Sequence, residues 1–281
     1  MRGYFYGWYL KCQSDTQTLA VIPAVHQVGG KRTCSIQIIT NDGTWTVEGP
    51  GKLFRCKGKQ IRIGKNRFEE YGIRLAVKTS KLSVKGALHF GRVSSLNSDI
   101  MGPFAWVPFM ECRHSVYSMQ HLVSGSVCIN GQIYSFQNAL GYWEGDRGWS
   151  FPKEYAWTQC FFEEGSIMLS VADIPIAGIH FTGIIGVVFW KGKEYRLATY
   201  LGARVICVEN RVLRIVQGSL ELEAVLLEEY GQALKAPTQG NMVRIIRESA
   251  ECKAAYRLRK KGQTILDFET NRASFEYEYI S

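Results

Sequence analysis

Period-two alternation runs the length of this chain, and no stretch of twelve or more residues carries a sustained helical stripe bounded by caps. Leu82, Val84, Gly86 and Leu88 alternate with polar neighbours, as do Leu220, Leu222, Ala224 and Leu226 with Glu221 and Glu223 between them. Successive strand side chains point to opposite faces, so this pattern predicts half-buried β-strands. Turn signals punctuate them at Asn41-Asp42-Gly43, Asn130-Gly131, Lys191-Gly192-Lys193, Glu209-Asn210 and Lys261-Gly262, the chemistry of tight antiparallel hairpins. The fold class expected is all-β and antiparallel, with one turn of helix allowed at Arg67 to Tyr71.

The chain has 281 residues, roughly twice the ~150-residue prior for one domain. The two halves resemble each other. Tyr6-Gly7-Trp8-Tyr9-Leu10-Lys11-Cys12 is echoed by Tyr155-Ala156-Trp157-Thr158-Gln159-Cys160. Each segment leads to an apolar strand carrying Ile-Pro, at Ile22-Pro23 and Ile174-Pro175, and Gly131-Gln132-Ile133 is matched by Gly262-Gln263-Thr264. Duplication at this period predicts two β domains, residues 1–140 and 141–281, meeting through residues 103–152. A Trp on the opening strand, after a small residue, suits the plug of a lipocalin-type up-and-down barrel.

Composition bounds the function. Hydrophobic residues make up 46% and charged residues 21% of the chain, which excludes disordered and collagen-like classes. The longest apolar run, Phe181 to Trp190, is about half of a membrane-spanning helix. No secretory signal is readable after Met1, so the expectation is a soluble cytoplasmic protein. Eight cysteines with no pair closer than sixteen positions form neither a redox nor a zinc motif, and are expected as buried free thiols. No metal and no cofactor motif is announced locally, and neither a nucleophile elbow nor a phosphate loop is present.

The segment Tyr142-Trp143-Glu144-Gly145-Asp146-Arg147-Gly148-Trp149-Ser150-Phe151-Pro152-Lys153, continuing to Cys160, resembles the central signature of the tocopherol cyclase family. Phe5-Tyr6-Gly7-Trp8-Tyr9, Pro108-Phe109-Met110-Glu111 and Leu234-Lys235-Ala236-Pro237-Thr238 are similar to its other motifs, in the same order. The resemblance implies two tandem lipocalin-like barrels, an arrangement shared with carotenoid hydratases. It also implies cyclase or hydratase chemistry, the addition of an oxygen nucleophile to an alkene of a prenylated or polyene lipid, without metal or redox cofactor. Asp146 stands where the plant pattern has Asn, and the histidine after Glu111 is shifted by one position to His114.

Such an addition needs a carboxylic acid kept protonated, and burial raises a carboxyl pKa. Glu144, Asp146, Glu111 and Asp173 are the candidates, with Glu144 first because the family also has Glu there. The alternative is that Glu144 and Asp146 are surface acids paired with Arg147, and Glu111 with Arg113. His114, His121 and His180 are candidate bases. Trp143, Trp149, Trp157, Tyr142 and Tyr155 could cradle a cation or simply pack a core. Gln159, between Trp157 and Phe161, is expected to point with them into a barrel interior and meet a ligand there. A non-catalytic carrier of an apolar ligand is the competing reading.

The net charge is +9. Lys52, Arg55, Lys57, Lys59, Arg62, Lys65 and Arg67 form a strip without an acid, and Arg257, Arg259, Lys260 and Lys261 a second cluster. These read as peripheral docking patches for an anionic membrane or as solvated strand faces. Nucleic acid is not expected, because the strip lacks interleaved aromatics.

Overall fold

The structure, a computed structural model, describes residues 3–108, 110–176, 178–228 and 231–279. Among them there is no α-helix, and no helix is long and apolar enough to cross a membrane. The first eleven strands are β1 (Tyr4–Gln13), β2 (Thr18–Val28), β3 (Lys31–Thr40), β4 (Gly43–Pro50), β5 (Phe54–Cys56), β6 (Gln60–Ile63), β7 (Asn66–Glu69), β8 (Gly72–Lys78), β9 (Ser83–Phe90), β10 (Cys112–Ile129) and β11 (Gln132–Gly148). They form one sheet in the order β4-β3-β2-β1-β11-β10-β9-β8-β7-β6-β5. Its two ends, β4 and β5, are joined by a single 3-10 turn at Gly51–Leu53. A sheet whose edges are three residues apart along the chain must curl round on itself, which brings its two edge strands close.

A second sheet repeats the plan with β12 (Tyr155–Phe162), β13 (Gly165–Ile176), β14 (Ile179–Trp190), β15 (Lys193–Ala198), β16 (Arg204–Glu209), β17 (Val212–Gln217), β18 (Leu220–Leu226), β19 (Gln232–Thr238), β20 (Asn241–Lys260) and β21 (Gln263–Tyr277). Its order is β15-β14-β13-β12-β21-β20-β18-β17-β16, with β19 beside β20. The ends β15 and β16 are again neighbours along the chain, linked through Thr199–Leu201. From β4 to β7 the first order corresponds to β15 to β16 of the second, β1 to β12 and β11 to β21, while β5 and β6 have no counterpart. The Tyr6 and Tyr155 segments therefore open equivalent strands, and the Gly-Gln echoes sit at equivalent hairpins. The fold is all-β with two lipocalin-like curled sheets.

The compact units are residues 1–96, 114–150 and 237–244, and residues 97–113, 151–236 and 245–281. The junction expected at 140–141 lies inside β11, which continues to Gly148. The helical turn expected at Arg67 to Tyr71 is instead β7 and the turn after it: Phe68 belongs to the core while Arg67 faces out. Two residues were too few to separate period two from period 3.6.

The first core gathers Trp8, Leu10, Ile36, Phe68, Val123 and Trp143, and the second Ala156, Leu169, Leu213, Tyr256 and Phe275. All eight cysteines are free thiols; Cys12, Cys34, Cys160 and Cys252 are buried, but Cys56 is exposed and the rest are half-buried. Two histidines are buried as neutral rings. His26 Nε2 meets Ser35 Oγ at 3.1 Å and His121 Nδ1 meets Ser118 Oγ at 2.9 Å. Burial pushes both imidazoles down to about 4.

A histidine whose folded pKa lies below its unfolded value near 6.5 stabilises the fold above that value and ceases to do so as pH falls towards 4. Each ring therefore withdraws on the order of 3 kcal/mol across that window. Thermal unfolding from pH 7 to 4 should show a steep loss of stability, shallower in His121→Gln. An equal slope in that variant would show that the ring does not titrate with unfolding.

Candidate functional site

In the first unit, β11 alternates sharply. Trp143 and Gly145 turn to the core, where Trp143 lies 4.9 Å from the Trp8 ring and 4.6 Å from Tyr117. Gly145 is required there, because a Cβ at that position would stand 2.7 Å from Trp8 Cδ1. Parity then sends Tyr142, Glu144 and Asp146 to the opposite face. The β1 partners on that face follow from the register, Tyr9 opposite Glu144 and Lys11 opposite Tyr142. Tyr142 and Lys11 are completely buried, and Glu144 nearly so.

His114, near the start of β10, completes the group. Its Nδ1 hydrogen-bonds Asp146 Oδ1 at 2.9 Å. Its Nε2 lies 3.1 Å from Glu144 Oε2, an ion-pair contact rather than an aligned hydrogen bond. The Tyr142 hydroxyl donates to the same Glu144 Oε2 at 2.5 Å. One imidazole is thus held between two carboxylates. Burial alone would push it down; the charges of Asp146 and Glu144 and the hydrogen bond to Asp146 outweigh that and hold it well above its ordinary value. Burial and the Glu144 carboxylate push the Tyr142 phenol up, so it stays a donor.

One ligand atom from each of His114, Glu144 and Asp146 falls within 4.8 Å of the others. That donor set could take a divalent cation. With both ring nitrogens already facing carboxylates, it suits a shared proton better.

The structure therefore brings Glu144, Asp146 and His114 together. Trp143 lies on the core side of the same strand. Glu111 is half-buried at the bend leading into β10, and Arg113 Nη2 donates to the Val107 carbonyl. Trp149 follows β11, half-buried. In the second unit, Asp173 Oδ2 and His180 Nδ1 form an exposed pair at 2.6 Å. Tyr142 as hydrogen-bond donor to Glu144 was not anticipated, although the Tyr142-x-Glu144-x-Asp146 period already placed it on the acids' face.

Gln159 departs from expectation. Ala156 and Cys160 hold the core face of β12, so Tyr155, Trp157, Gln159 and Phe161 take the other one. All residues from Tyr155 to Phe161 are buried, and a strand covered on both faces gives no alternation from which to read parity. The Tyr155 hydroxyl donates to Glu276 Oε2 at 2.6 Å. Gln159 itself is fully buried, and among the described residues neither atom of its amide has a hydrogen-bond partner, nor has the Ser166 hydroxyl, opposite Phe161 on β13.

His114 generates a pH signature opposite in sign to that of His121. Its folded-state pKa is raised, so its stabilisation is complete below about 6.5 and is lost as pH rises through the folded value. The stability gap between the wild type and His114→Gln, measured by thermal unfolding above pH 5, should be widest near pH 6 and narrow on the alkaline side. A gap independent of pH would mean the ring is held neutral.

The sequence pattern of the tocopherol cyclase-like family matches residues 76–277. The chain is 27% identical over 220 residues to the chloroplastic tocopherol cyclase of Zea mays, a match covering 69% of this chain and 45% of that protein. A second chloroplastic relative, from Oryza sativa subsp. japonica, is also 27% identical, over 221 residues. The match thus spans less than half the length of these curated relatives. In fold, the chain superposes on kievitone hydratase from Nectria haematococca with a TM-score of 0.57 at 10% identity, over 98% of this chain and 89% of that one. An AttH-type protein of Nitrosomonas europaea gives 0.56 at 10% identity, over 100% and 93%. This chain belongs to the tocopherol cyclase-like family.

Proposed function

We propose that the chain catalyses addition of an oxygen nucleophile, either water or the substrate's own phenol, across a carbon–carbon double bond of a prenylated or polyene lipid. The observation that carries this reading is the buried His114 between Glu144 and Asp146. Burying ionisable groups costs several kcal/mol per ion unless each is paired, and apolar replacements of such clusters are often no less stable. A cluster of this kind has a chemical use that a passive carrier lacks.

The addition needs one proton out and one back. A proton leaves the Glu144–His114–Asp146 set for one alkene carbon. The electron-poor carbon left behind bonds the nucleophile's oxygen, and the O–H proton of that nucleophile returns to the set. The reaction is redox-neutral. Glu144, the acid most shielded from water, is assigned the delivery of the outgoing proton, which it draws from the His114 imidazolium; Asp146 holds the ring from its other nitrogen, and Tyr142 orients the Glu144 carboxyl group. In the second unit, the unpaired Gln159 amide and Ser166 hydroxyl are suited to a neutral ligand oxygen, since an amide offers both a donor and an acceptor.

Turnover of a prenylated hydroquinone, followed by mass spectrometry in D2O, tests the chemistry. The product should carry one non-exchangeable deuterium on carbon, and Glu144→Gln should slow turnover by about 10² to 10⁴-fold with the melting temperature little changed. Substrate recovered intact from the wild type, with binding retained, would establish the carrier. Activity abolished by a chelator would assign the triad to a metal ion instead.

Gln159→Met separates a binding amide from a structural one. An unsatisfied buried polar group costs about 1 to 3 kcal/mol, so this variant should melt higher than the wild type while binding a phenolic ligand about tenfold more weakly, a loss of ~1.4 kcal/mol. A lower melting temperature with unchanged affinity would make Gln159 a structural residue.

A further inference from the structure

The basic strip of the sequence acquires, on folding, an order that the sequence does not display. Arg55 on β5 is the cross-strand partner of Arg62 on β6, Arg62 of Arg67 on β7, and Arg67 of Arg74 on β8. Four arginines therefore stand side by side across four adjacent strands, on the face opposite Phe54, Ile61, Phe68 and Ile73 of the core. With strands about 4.8 Å apart, the row spans roughly 14 Å. Among the described residues none of the four makes an ion pair. The nearby acids are engaged elsewhere, Glu69 by Gln60 at 2.7 Å and Glu70 by Lys59 at 2.7 Å. Lys78 and Lys85 extend the same outward face on β8 and β9.

The second unit supplies an internal control. There a cross-strand row of the same kind, on strands that are not the equivalents of β5 to β7, is Arg214 on β17, Glu223 on β18, Arg257 on β20 and Asp267 on β21. Its charges alternate and close on one another: Arg214 hydrogen-bonds Glu223, Arg257 reaches Asp267 at 2.8 Å and Glu223 at 3.6 Å, and Arg259 lies 3.5 Å from Glu221. The two arginines of the second basic cluster are thus paired with acids in place. Like charges directly opposite on a sheet are destabilising, so a row of four costs the first unit stability that the second unit does not give up.

We propose that the Arg55–Arg62–Arg67–Arg74 row is a phosphate-binding surface that docks the protein on an anionic lipid bilayer. Guanidinium groups suit phosphate through paired donors. Leu53, two residues before Arg55, and Tyr71, three residues before Arg74, are both exposed. The row itself contains no aromatic on which bases could stack, which disfavours nucleic acid. Choosing a bilayer as the source of phosphate rests on the apolar substrate proposed above; the anion chemistry does not.

The test is co-sedimentation with vesicles of phosphatidylcholine alone or with 30% phosphatidylglycerol. Binding should require the anionic lipid and weaken as salt rises, because the attraction is screened over about 8 Å at physiological ionic strength. Arg62→Gln/Arg67→Gln should weaken it about 25-fold, near fivefold per charge, while Arg257→Gln/Arg259→Gln leaves it unchanged. The first variant should melt no lower than the wild type, since like-charge repulsion is relieved, and should turn over detergent-dispersed substrate normally. Equal binding by both variants, binding to neutral vesicles, or tighter binding to a single-stranded oligonucleotide than to anionic vesicles would each overturn the proposal. Vesicle binding by a protein that leaves every substrate unchanged would uphold it and sink the enzymatic reading alone.

Discussion

The antiparallel pairing of β1 with β11 is the contact on which the first unit depends. It joins residues from Phe5 and Gly148 through to Gln13 and Leu140, bringing the first strand against the last of its sheet. That closure entropy is large and is offset only when the apolar faces of the intervening strands are buried together. The same pairing fixes parity. With Trp143 and Gly145 committed to the Trp8 core, Tyr142, Glu144 and Asp146 have no choice of face, and a slip of one residue would exchange the acids for the tryptophan. Core packing and site geometry are thus one constraint seen from two sides of a strand.

Much of this was legible in the sequence because it is local or repeated. Alternation and turn chemistry give the all-β class, and the duplicated Tyr6 and Tyr155 segments give two sheets of equivalent order. Glu144 and Asp146 stand out at i and i+2 in an aromatic, Gly-rich run. What escaped was whatever depends on which strand lies beside which. His114 meets the acids across a β10–β11 hairpin, thirty and thirty-two residues along the chain. The parity of β12 was unreadable because both of its faces are buried, which is why Gln159 was expected in the interior and is found on the face opposite.

The arginine row shows the same limit more sharply. Arg55, Arg62, Arg67 and Arg74 are separated by seven, five and seven positions, a spacing that reads equally as a docking patch or a solvated basic strip and leaves Arg74 outside it. Three hairpins of unequal length convert it into a single file. Conversely, Arg257 and Arg259 look like the same kind of cluster until β18 and β21 bring Glu221, Glu223 and Asp267 alongside. Charge counted along a chain says how much there is; cross-strand register decides whether it is spent internally or left for a partner.

The triad illustrates how burial can prepare a group without silencing it. A lone buried imidazole loses its charge, as His26 and His121 do, because desolvation acts unopposed. His114 is desolvated too, yet two carboxylates reverse the outcome. The cost of holding that cation is shared between buried Glu144 and the partly exposed Asp146. Moving one proton within such a set alters its internal bonding but not its net charge, and so demands little rearrangement of the surroundings. In the proposed addition the charge of the set falls by one when a proton goes to carbon and is restored by the proton that the oxygen nucleophile releases, so it is conserved over the cycle rather than at each step.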